Sequence, residues 1–244
     1  MNNEPVLALN ATHESGSVSD KYNFFSSADI VEFFNNKGWE MTDYKQVIPR
    51  VGDPAYVKHM ITFDHRDYSD RDNIPRILMT NAHNGTSSFK LHTGIFRVVC
   101  SNGLIVGSTF EQVRIRHINT TEEQVYQSID KLVDQFNPVM NKIARFSDIL
   151  LEPEQKLEVA RKIADERFTT YTQNDLTALL SPIRNEDLGD DLWTVGNVLQ
   201  EKCMYGGSRV NRRKVRPIKG IDRTVGFNIA LWDIMEETAN LVAV

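Results

Sequence analysis

Apolar and polar positions alternate with a period of two in the first half of the chain. Residues 57–64 alternate in this way, and the alternation is typical of a half-buried β-strand. Residues 76–82 predict a second strand, and Asn84-Gly85 is a strong hairpin-turn signal before an extended segment that starts at residues 88–92. The front of the chain is therefore predicted to form an antiparallel β-meander.

Further segments of the first half are shorter or ambiguous. Residues 94–102 fit either a β-branched strand or a short buried helix, and so short an apolar run leaves both open. Residues 104–106 and 112–118 are predicted to be extended. Before the strands, Ser27 predicts the N-cap of a short helix that ends near Gly38.

In the second half the apolar positions recur every three to four residues, as in amphipathic helices. Thr120 and Glu123 form a capping-box pattern, in which hydroxyl and carboxylate satisfy the free amides of a helix start. Pro138 predicts a kink or an end in that helix, and Pro153 fits the first turn of the next one. The same spacing predicts helices at residues 174–180, 191–204 and 224–240.

The segregation of strands and helices along the chain predicts an α+β fold. Residues 1–21 lack periodicity and are predicted to form a flexible arm. Residues 22–118 then form the β-rich part of the core, and residues 119–244 form a helical part that contains a basic segment at residues 208–219. We expect these parts to make one domain overall.

Composition supports a globular protein, because 41% of the residues are hydrophobic and 25% are charged. No apolar run approaches the roughly 20 residues of a membrane helix, and the N-terminus does not have the pattern of a secretory signal. Cys100 and Cys203 form neither a metal-binding spacing nor a disulfide framework. We therefore expect a cytoplasmic protein that does not contact a membrane.

Positive charge is concentrated in one segment of an acidic chain. The formal net charge is −5, yet half of the twelve residues Ser208–Lys219 are basic. A polyanion would bind such a segment, because neutralised phosphates release their counterions. Alternatively, the segment is a solvated loop whose charges pair with the acids of residues 186–191. The predicted phosphate-binding residues are Arg209, Arg212, Arg213, Lys214, Arg216 and Lys219, with Lys90, Arg114 and Arg116 as a second, smaller group.

Other polar clusters suggest chemistry only weakly. His83 with Ser87 or Ser88 resembles a base and a nucleophile, but Asn-Gly-Thr-Ser-Ser is also ordinary turn chemistry. A metal site or a two-metal nuclease is a further possibility, although a charged hairpin rim explains the same residues more simply. We expect no catalytic residue, no metal and no cofactor. The candidate ligands for such a metal site are His59, Asp64, His65, Asp67, Asp70 and Asp72.

Three blocks of sequence resemble an uncharacterised prokaryotic family known as phage/plasmid-like protein, a domain of unknown function carried by prophages and plasmids. They are residues Tyr56–Arg66, residues Ile77–Gly107 with a His-x-Gly-Thr-Ser-Ser turn and a Gly-Ile-Phe-Arg-x-x-Cys-Ser-Asn-Gly run, and residues Leu192–Trp232. Departures are modest, such as Gly196 where the family's ending usually has Phe. The resemblance implies a mobile-element context and supplies no catalytic residues.

The layout of the chain is also similar to that of phage single-strand annealing recombinases, which form rings and hold single-stranded DNA in a cationic groove. The resemblance and the basic segment together predict a nucleic-acid-binding protein, with single-stranded DNA favoured, that anneals strands in recombination as a homo-oligomer such as a ring. The alternative is a protein-interaction module, for example an inhibitor of a host defence enzyme, whose basic segment meets an acidic protein surface.

Overall fold

A computed structural model describes residues 7–65, 73–97, 102–105, 113–134 and 136–242, and it has the α+β fold predicted from the sequence. The chain divides into two compact units, unit 1 within residues 1–95 and 111–135, and unit 2 within residues 96–110 and 136–244. The helices and strands are α1 (Ser27–Asn36), β1 (Trp39–Gln46), β2 (His59–His65), β3 (Asn73–Asn81), β4 (Phe89–Arg97), β5 (Asn102–Ile105), β6 (Val113–Ile115), α2 (Glu122–Val133), α3 (Phe136–Asp148), α4 (Pro153–Asp165), α5 (Gln173–Leu180), α6 (Leu192–Gln200), β7 (Arg209–Val210), β8 (Arg213–Lys214) and α7 (Ile221–Val242).

The sheet follows the predicted meander. Its strand order is β1-β2-β3-β4-β5, with β6 paired to β4, and the pairs β1–β2, β2–β3 and β4–β6 are antiparallel. Helix α1 packs on β1, and the ring of Phe34 stacks on that of Phe63 with 4.2 Å between centroids. Strand β4 resolves the ambiguity of residues 94–102 as far as Arg97, since residues 98–101 lie outside the described ranges.

Residues 7–21, which belong to the predicted flexible arm, make specific contacts with the rest of unit 1. Ala8 is fully buried, and its amide donates a hydrogen bond to Oε1 of Gln46 at 3.0 Å. The amide of Ser15 donates to the carbonyl of His83 at 2.9 Å. Residues 1–6 of the arm lie outside the described ranges.

Two predicted helix caps are displaced by one residue. Ser26 rather than Ser27 caps α1, with its hydroxyl accepting from the amide of Asp29. At α2 the capping box is formed by Thr121 and Gln124, not by Thr120 and Glu123. Each of these sites offers adjacent candidate caps, and the residue whose backbone is still extended where the helix begins becomes the cap.

Pro138 does not break a helix, because α2 already ends at Val133. The proline lies in the first turn of α3, where a helix has free amides and loses nothing by the missing N–H. Pro153 is likewise at the start of α4, as predicted. Unit 2 therefore begins with two helices that each have proline in the first turn.

Helix α6 forms the centre of unit 2, and each of its residues is buried. The rings of Trp193 in α6 and Phe146 in α3 both contact Trp232 in α7, at centroid distances of 6.5 and 5.2 Å. A π-helical turn, Glu201–Tyr205, extends α6 towards the basic segment. Along the described ranges, none of the helices combines the length and the apolar surface that crossing a bilayer requires.

Candidate nucleic-acid interface

The basic segment folds into a short two-stranded hairpin on unit 2. Strands β7 and β8 pair antiparallel, with Arg209 opposite Lys214. The two tip residues, Asn211 and Arg212, have φ angles of 49° and 63°, as in the two-residue turns with positive φ that match strand twist. We refer to Ser208–Lys219 as the basic hairpin.

Buried valines fix which face of the basic hairpin is turned to solvent. Val210 and Val215 are 6% and 4% exposed, and the amide of Val215 donates to the carbonyl of Ser208 at 2.9 Å. Arg209 and Lys214 are opposite one another and alternate with these valines, so they lie on the other, outward face. All of the predicted phosphate-binding residues of the hairpin are exposed: Arg209, Arg212, Arg213, Lys214, Arg216 and Lys219.

These six cations have no carboxylate within 4.0 Å among the described residues. Three of the four acids at residues 186–191 have other contacts. Asp187 pairs with Arg97 at 2.5 Å and with Arg184, Asp190 pairs with Lys156, and Asp191 caps α6. The hairpin charge is therefore not neutralised by the acids that the sequence suggested for it.

One further carboxylate, that of Asp175, lies at the tip of the hairpin. It accepts hydrogen bonds from the amide of Asn211 at 3.3 Å and from the amide and hydroxyl of Thr172, and these donors lower its pKa. The side chain of Asn211 also donates to the carbonyl and hydroxyl oxygens of Thr170. These contacts attach the tip to the loop between α4 and α5 without using the arginine side chains, of which Arg209 donates to the carbonyl of Arg212 at 3.3 Å.

A groove of about 630 Å³ runs beside the hairpin, lined by residues 167–170, 210–211 and 213–216. Arg167 links the π-helical turn to the basic hairpin. Its Nε donates to the carbonyl of Cys203 at 3.1 Å, and its guanidinium also donates to the carbonyl of Arg216 at 2.8 Å. Burial, and then the nearby charge of Arg223, lower the pKa of Arg167. An anion in the groove would offset both effects.

The sequence analysis did not identify Arg167 or Arg223. Each is an isolated basic residue, one just after α4 and the other in the first turn of α7. The charge pattern gives no signal for them, because the fold alone brings positions 167, 216 and 223 together.

Lys90, Arg114 and Arg116, the smaller predicted group, lie in unit 1. Lys90 in β4 is directly opposite Arg114 in β6, and Nε of Arg114 donates to the hydroxyl of Ser88 at 3.3 Å. Arg114 and Arg116 are exposed and Lys90 is partly exposed. Unit 1 thus has a cationic strand pair of its own.

A family described as a domain of unknown function, DUF932, matches residues 14–232. The chain belongs to the DUF932 family. Two relatives from Escherichia coli strain K12 are similar to this DUF932 chain over nearly its whole length. The UPF0380 protein YafZ is 30% identical over 95% of the chain and 87% of the relative, and the UPF0380 protein YfjQ is 31% identical over 96% and 87%. No solved structure matches.

Aromatic rings on which bases could stack differ in accessibility within the DUF932 chain. Phe89 is fully buried in the core of unit 1, and the side chain of Phe96 lies outside the described part. Tyr205 is 43% exposed. A fourth aromatic residue, Phe168, lines the groove beside the hairpin, with its ring centroid 5.5 Å from the guanidinium carbon of Arg167.

The structure does not assemble the suggested nucleophile and base. The Ser87 hydroxyl donates to the carbonyl of Ser88. His83 is fully buried and contacts the carbonyl of Ala8 at 3.1 Å and the hydroxyl of Ser27 at 3.4 Å. The turn is therefore organised by its own hydrogen bonds.

The suggested metal ligands are also separated. Asp64 is bound by the guanidinium of Arg76 at 2.6 and 2.7 Å, while His59 is buried and lies 2.7 Å from the hydroxyl of Ser27. Among the described residues no group of His, Cys, Asp and Glu has the arrangement of a metal site. Asp67, Asp70 and Asp72 lie outside those residues.

Proposed function

We propose that this DUF932 protein binds single-stranded DNA through the basic hairpin and promotes the annealing of complementary strands during recombination of a mobile element, without a cofactor. The observation that carries the proposal is the exposure of six hairpin cations that lack a carboxylate partner among the described residues. Elsewhere in unit 2, Arg184, Lys156 and Lys162 are paired with acids. A local excess of positive charge on an acidic chain is what a polyanion binds.

The arginine side chains and the lining of the groove favour the phosphate backbone of a nucleic-acid strand as the ligand. Arginine presents a planar fork that matches phosphate geometry, and contacts to phosphate give affinity without reading sequence. The groove adds Arg167 and the ring of Phe168 next to the hairpin. A cationic groove with an aromatic face is typical of proteins that bind single strands, because any base can stack on a ring.

Annealing follows from this mode of binding. A strand held by its phosphates leaves its bases available to a complementary strand, so the protein needs neither covalent chemistry nor an energy source. Several copies of the chain on one strand would combine weak contacts into stable binding, and for this reason we propose a homo-oligomer, such as a ring. We place the activity in the cytoplasm, where a buried free thiol such as Cys203 stays reduced.

The decisive experiment measures binding of labelled oligonucleotides at several salt concentrations. Phosphate contacts predict a steep loss of affinity between about 50 and about 200 mM salt. The double variant Arg212→Glu, Arg213→Glu should weaken binding to all sequences alike and reduce the log–log salt slope by roughly 1 to 2. A matched control carries the same charge change at paired, exposed sites outside the hairpin, Lys45→Glu and Arg161→Glu.

Equal binding by the hairpin variant and the wild-type protein would refute the role of the hairpin. If neither binds nucleic acid and the purified protein carries none, the alternative of an acidic protein partner is favoured. Annealing is measured separately, from the rate at which dye-labelled and quencher-labelled complementary strands pair. Electron micrographs with and without single-stranded DNA test for rings or filaments.

A further inference from the structure

Unit 1 contains a second groove, of about 420 Å³, between the segment before α1 and the Asn84–Ser88 turn. Hydroxyl groups are frequent in its lining, which includes Ser17, Ser19 and the turn residues 86–88. Arg116 and His117, just after β6, complete the wall. Side-chain hydroxyls beside an arginine supply the donors that a phosphate group accepts from.

Arg116 in the groove lining, and Lys90 and Arg114 next to it on β4 and β6, are not balanced by acids in the described part of the protein. Lys90 and Arg114 are direct cross-strand neighbours, an arrangement of like charges that destabilises a strand pair. Arg116 is exposed beside them, and none of the three has an ion pair among the described residues. A bound anion would remove this repulsion.

His117 lies at the floor of the groove and is 5% exposed. Its Nδ1 lies 2.9 Å from the carbonyl of Asn23, and its Nε2 lies 2.9 Å from Oδ1 of Asn81. The amide of Asn81 cannot be reversed without loss, because its Oδ1 accepts from the amide of Ala82 and its Nδ2 donates to the carbonyl of Phe25. Both ring nitrogens of His117 therefore face acceptors.

A neutral imidazole has one N–H and can donate to only one of these two oxygens, whereas the imidazolium donates to both. The ring of His117 also stacks on the rings of Tyr22 and Phe25, at centroid distances of 4.6 and 4.8 Å. Aromatic faces attract a cation. The two acceptors and the stacked rings thus favour the protonated form of His117, whereas burial disfavours that form and lowers the pKa of His117.

Two hydroxyls of the turn are already used, because Thr86 donates to Oδ1 of Asn84 and Ser87 donates to the carbonyl of Ser88. The hydroxyl of Ser88 accepts from Nε of Arg114 and keeps its hydrogen for another acceptor.

We propose that the groove of unit 1 binds a phosphate group through Arg116 and the hydroxyl of Ser88, and that binding places a second proton on His117. The anion supplies the negative charge that the buried imidazolium lacks. The site is separate from the basic hairpin, and it rests on the proposed nucleic-acid function only for the source of the phosphate.

Other charged groups near His117 determine how strongly phosphate binding promotes its protonation. His83 and His59 are neighbouring buried imidazoles, whose charges oppose one another. Arg116 is adjacent in the chain, and Glu14 acts on the hydroxyl of Tyr22. The two other histidines stay neutral when His117 is protonated, because burial lowers the pKa of His59 to about 4 and that of His83 to about 3.

Sulfate is the first probe, because its charge is constant while His117 titrates. Imidazole resonances of the full-length protein are followed by NMR between about pH 8 and about pH 5.5 with and without sulfate. The titration midpoint of His117 should rise in sulfate. Arg116→Gln should weaken sulfate binding about tenfold or more, while the control Lys45→Gln leaves it unchanged.

His117→Gln tests the histidine as a positioning residue. The variant should still bind sulfate, with an affinity that no longer rises as the pH falls. Sulfate affinity that is insensitive to Arg116→Gln, or a His117 midpoint that does not move in sulfate, would overturn the proposal. The hairpin variant Arg212→Glu, Arg213→Glu should keep the sulfate response, so failure at either site is seen independently of the other.

Nucleotide probes distinguish the sources of the phosphate. Competition by thymidine monophosphate alone indicates a free nucleotide, and preference for a 5′-phosphorylated over an unphosphorylated oligonucleotide indicates a strand end. Equal competition by both oligonucleotides, lost in Arg116→Gln, indicates a phosphate within the strand. Each of these results supports the phosphate site, whereas no competition by any of the three overturns it.

Discussion

At the scale of single residues, Arg212 has a strained backbone at a position for which we propose phosphate binding. It occupies the left-handed region with φ of 63° at the tip of the basic hairpin, where an L-residue other than Asn or Asp costs roughly 1–2 kcal/mol. Its neighbour Asn211 accepts this conformation more readily and is attached to Thr170. A strained residue that points a charge into solvent is typical of binding sites.

Arg212→Gly should therefore separate the two properties. Glycine adopts positive φ without strain, although it gains entropy in the unfolded chain, so we expect the free energy of unfolding to rise by up to about 1 kcal/mol. Binding of single-stranded DNA should weaken, because one phosphate contact is lost. Urea denaturation and oligonucleotide binding measure the two effects. A variant that loses stability, or that binds as tightly as the wild type, would contradict this account of Arg212.

Buried histidines make the stability of unit 1 depend on pH. His59 is fully buried with its Nδ1 3.1 Å from the carbonyl of Val57, and burial lowers its pKa from 6.5 to about 4. Since the unfolded chain binds a proton at higher pH than the folded one, this stability is complete above about pH 6.5 and decreases as the pH falls towards about 4.

We expect unfolding free energy to fall between pH 7.5 and pH 5 by about 2 kcal/mol for each such histidine. His59→Gln keeps an acceptor for the hydroxyl of Ser27 and cannot be protonated in this range, so its stability should depend less on pH. Chemical denaturation at the two pH values tests this. Equal pH dependence in the wild type and the variant would show that His59 is not responsible.

At the scale of elements, the contact between α6 and α7 depends on a residue without a side chain. A Cβ added at Gly196 would lie 2.8 Å from Cε of Met235 and closer still to its sulfur. Met235 is fully buried and has little room to move. Glycine at position 196 therefore leaves the space that the methionine of α7 fills.

Gly196→Ala should destabilise unit 2, because overpacking a core costs about 1–3 kcal/mol while alanine gains at most about 1 kcal/mol of helix propensity. Met235→Ala alone should cost about 2–5 kcal/mol through the cavity it leaves. In the double variant the two methyl groups share the space, so the loss should be smaller than the sum of the single losses. Thermal unfolding of the wild type, the two single variants and the double variant measures these losses. Additive losses would show that the two residues do not compete for space.

At the scale of the whole molecule, the protein distributes its charges unequally. The net charge is −5, and several basic residues of each unit are paired with acids, such as Lys37 with Asp130 and Arg184 with Glu201. The six cations of the basic hairpin in unit 2, and Lys90, Arg114 and Arg116 in unit 1, have no such partners among the described residues. An acidic surface elsewhere favours binding at these two places and disfavours it at others.

The sequence by itself determined the order and type of most elements. Alternation with a period of two predicted β2, and a period between three and four predicted the helices of the second half. The Asn84-Gly85 pair predicted a turn, in which Gly85 has a φ of 73°. These are local properties, since side-chain alternation and turn conformation are set by neighbouring residues. Local charge density likewise predicted the basic hairpin.

Only the tertiary structure decided whether acids of the same chain pair with the hairpin cations, and which other residues lie beside the hairpin. The sequence left open whether acids neutralise the hairpin, because Asp187 and Asp190 are near in sequence but are bound to Arg97, Arg184 and Lys156. Arg167 and the Ser27–His59 contact were not predicted, since their partners are 36 and 32 residues away in the chain. Long-range contacts depend on packing of whole elements, and no local pattern records them.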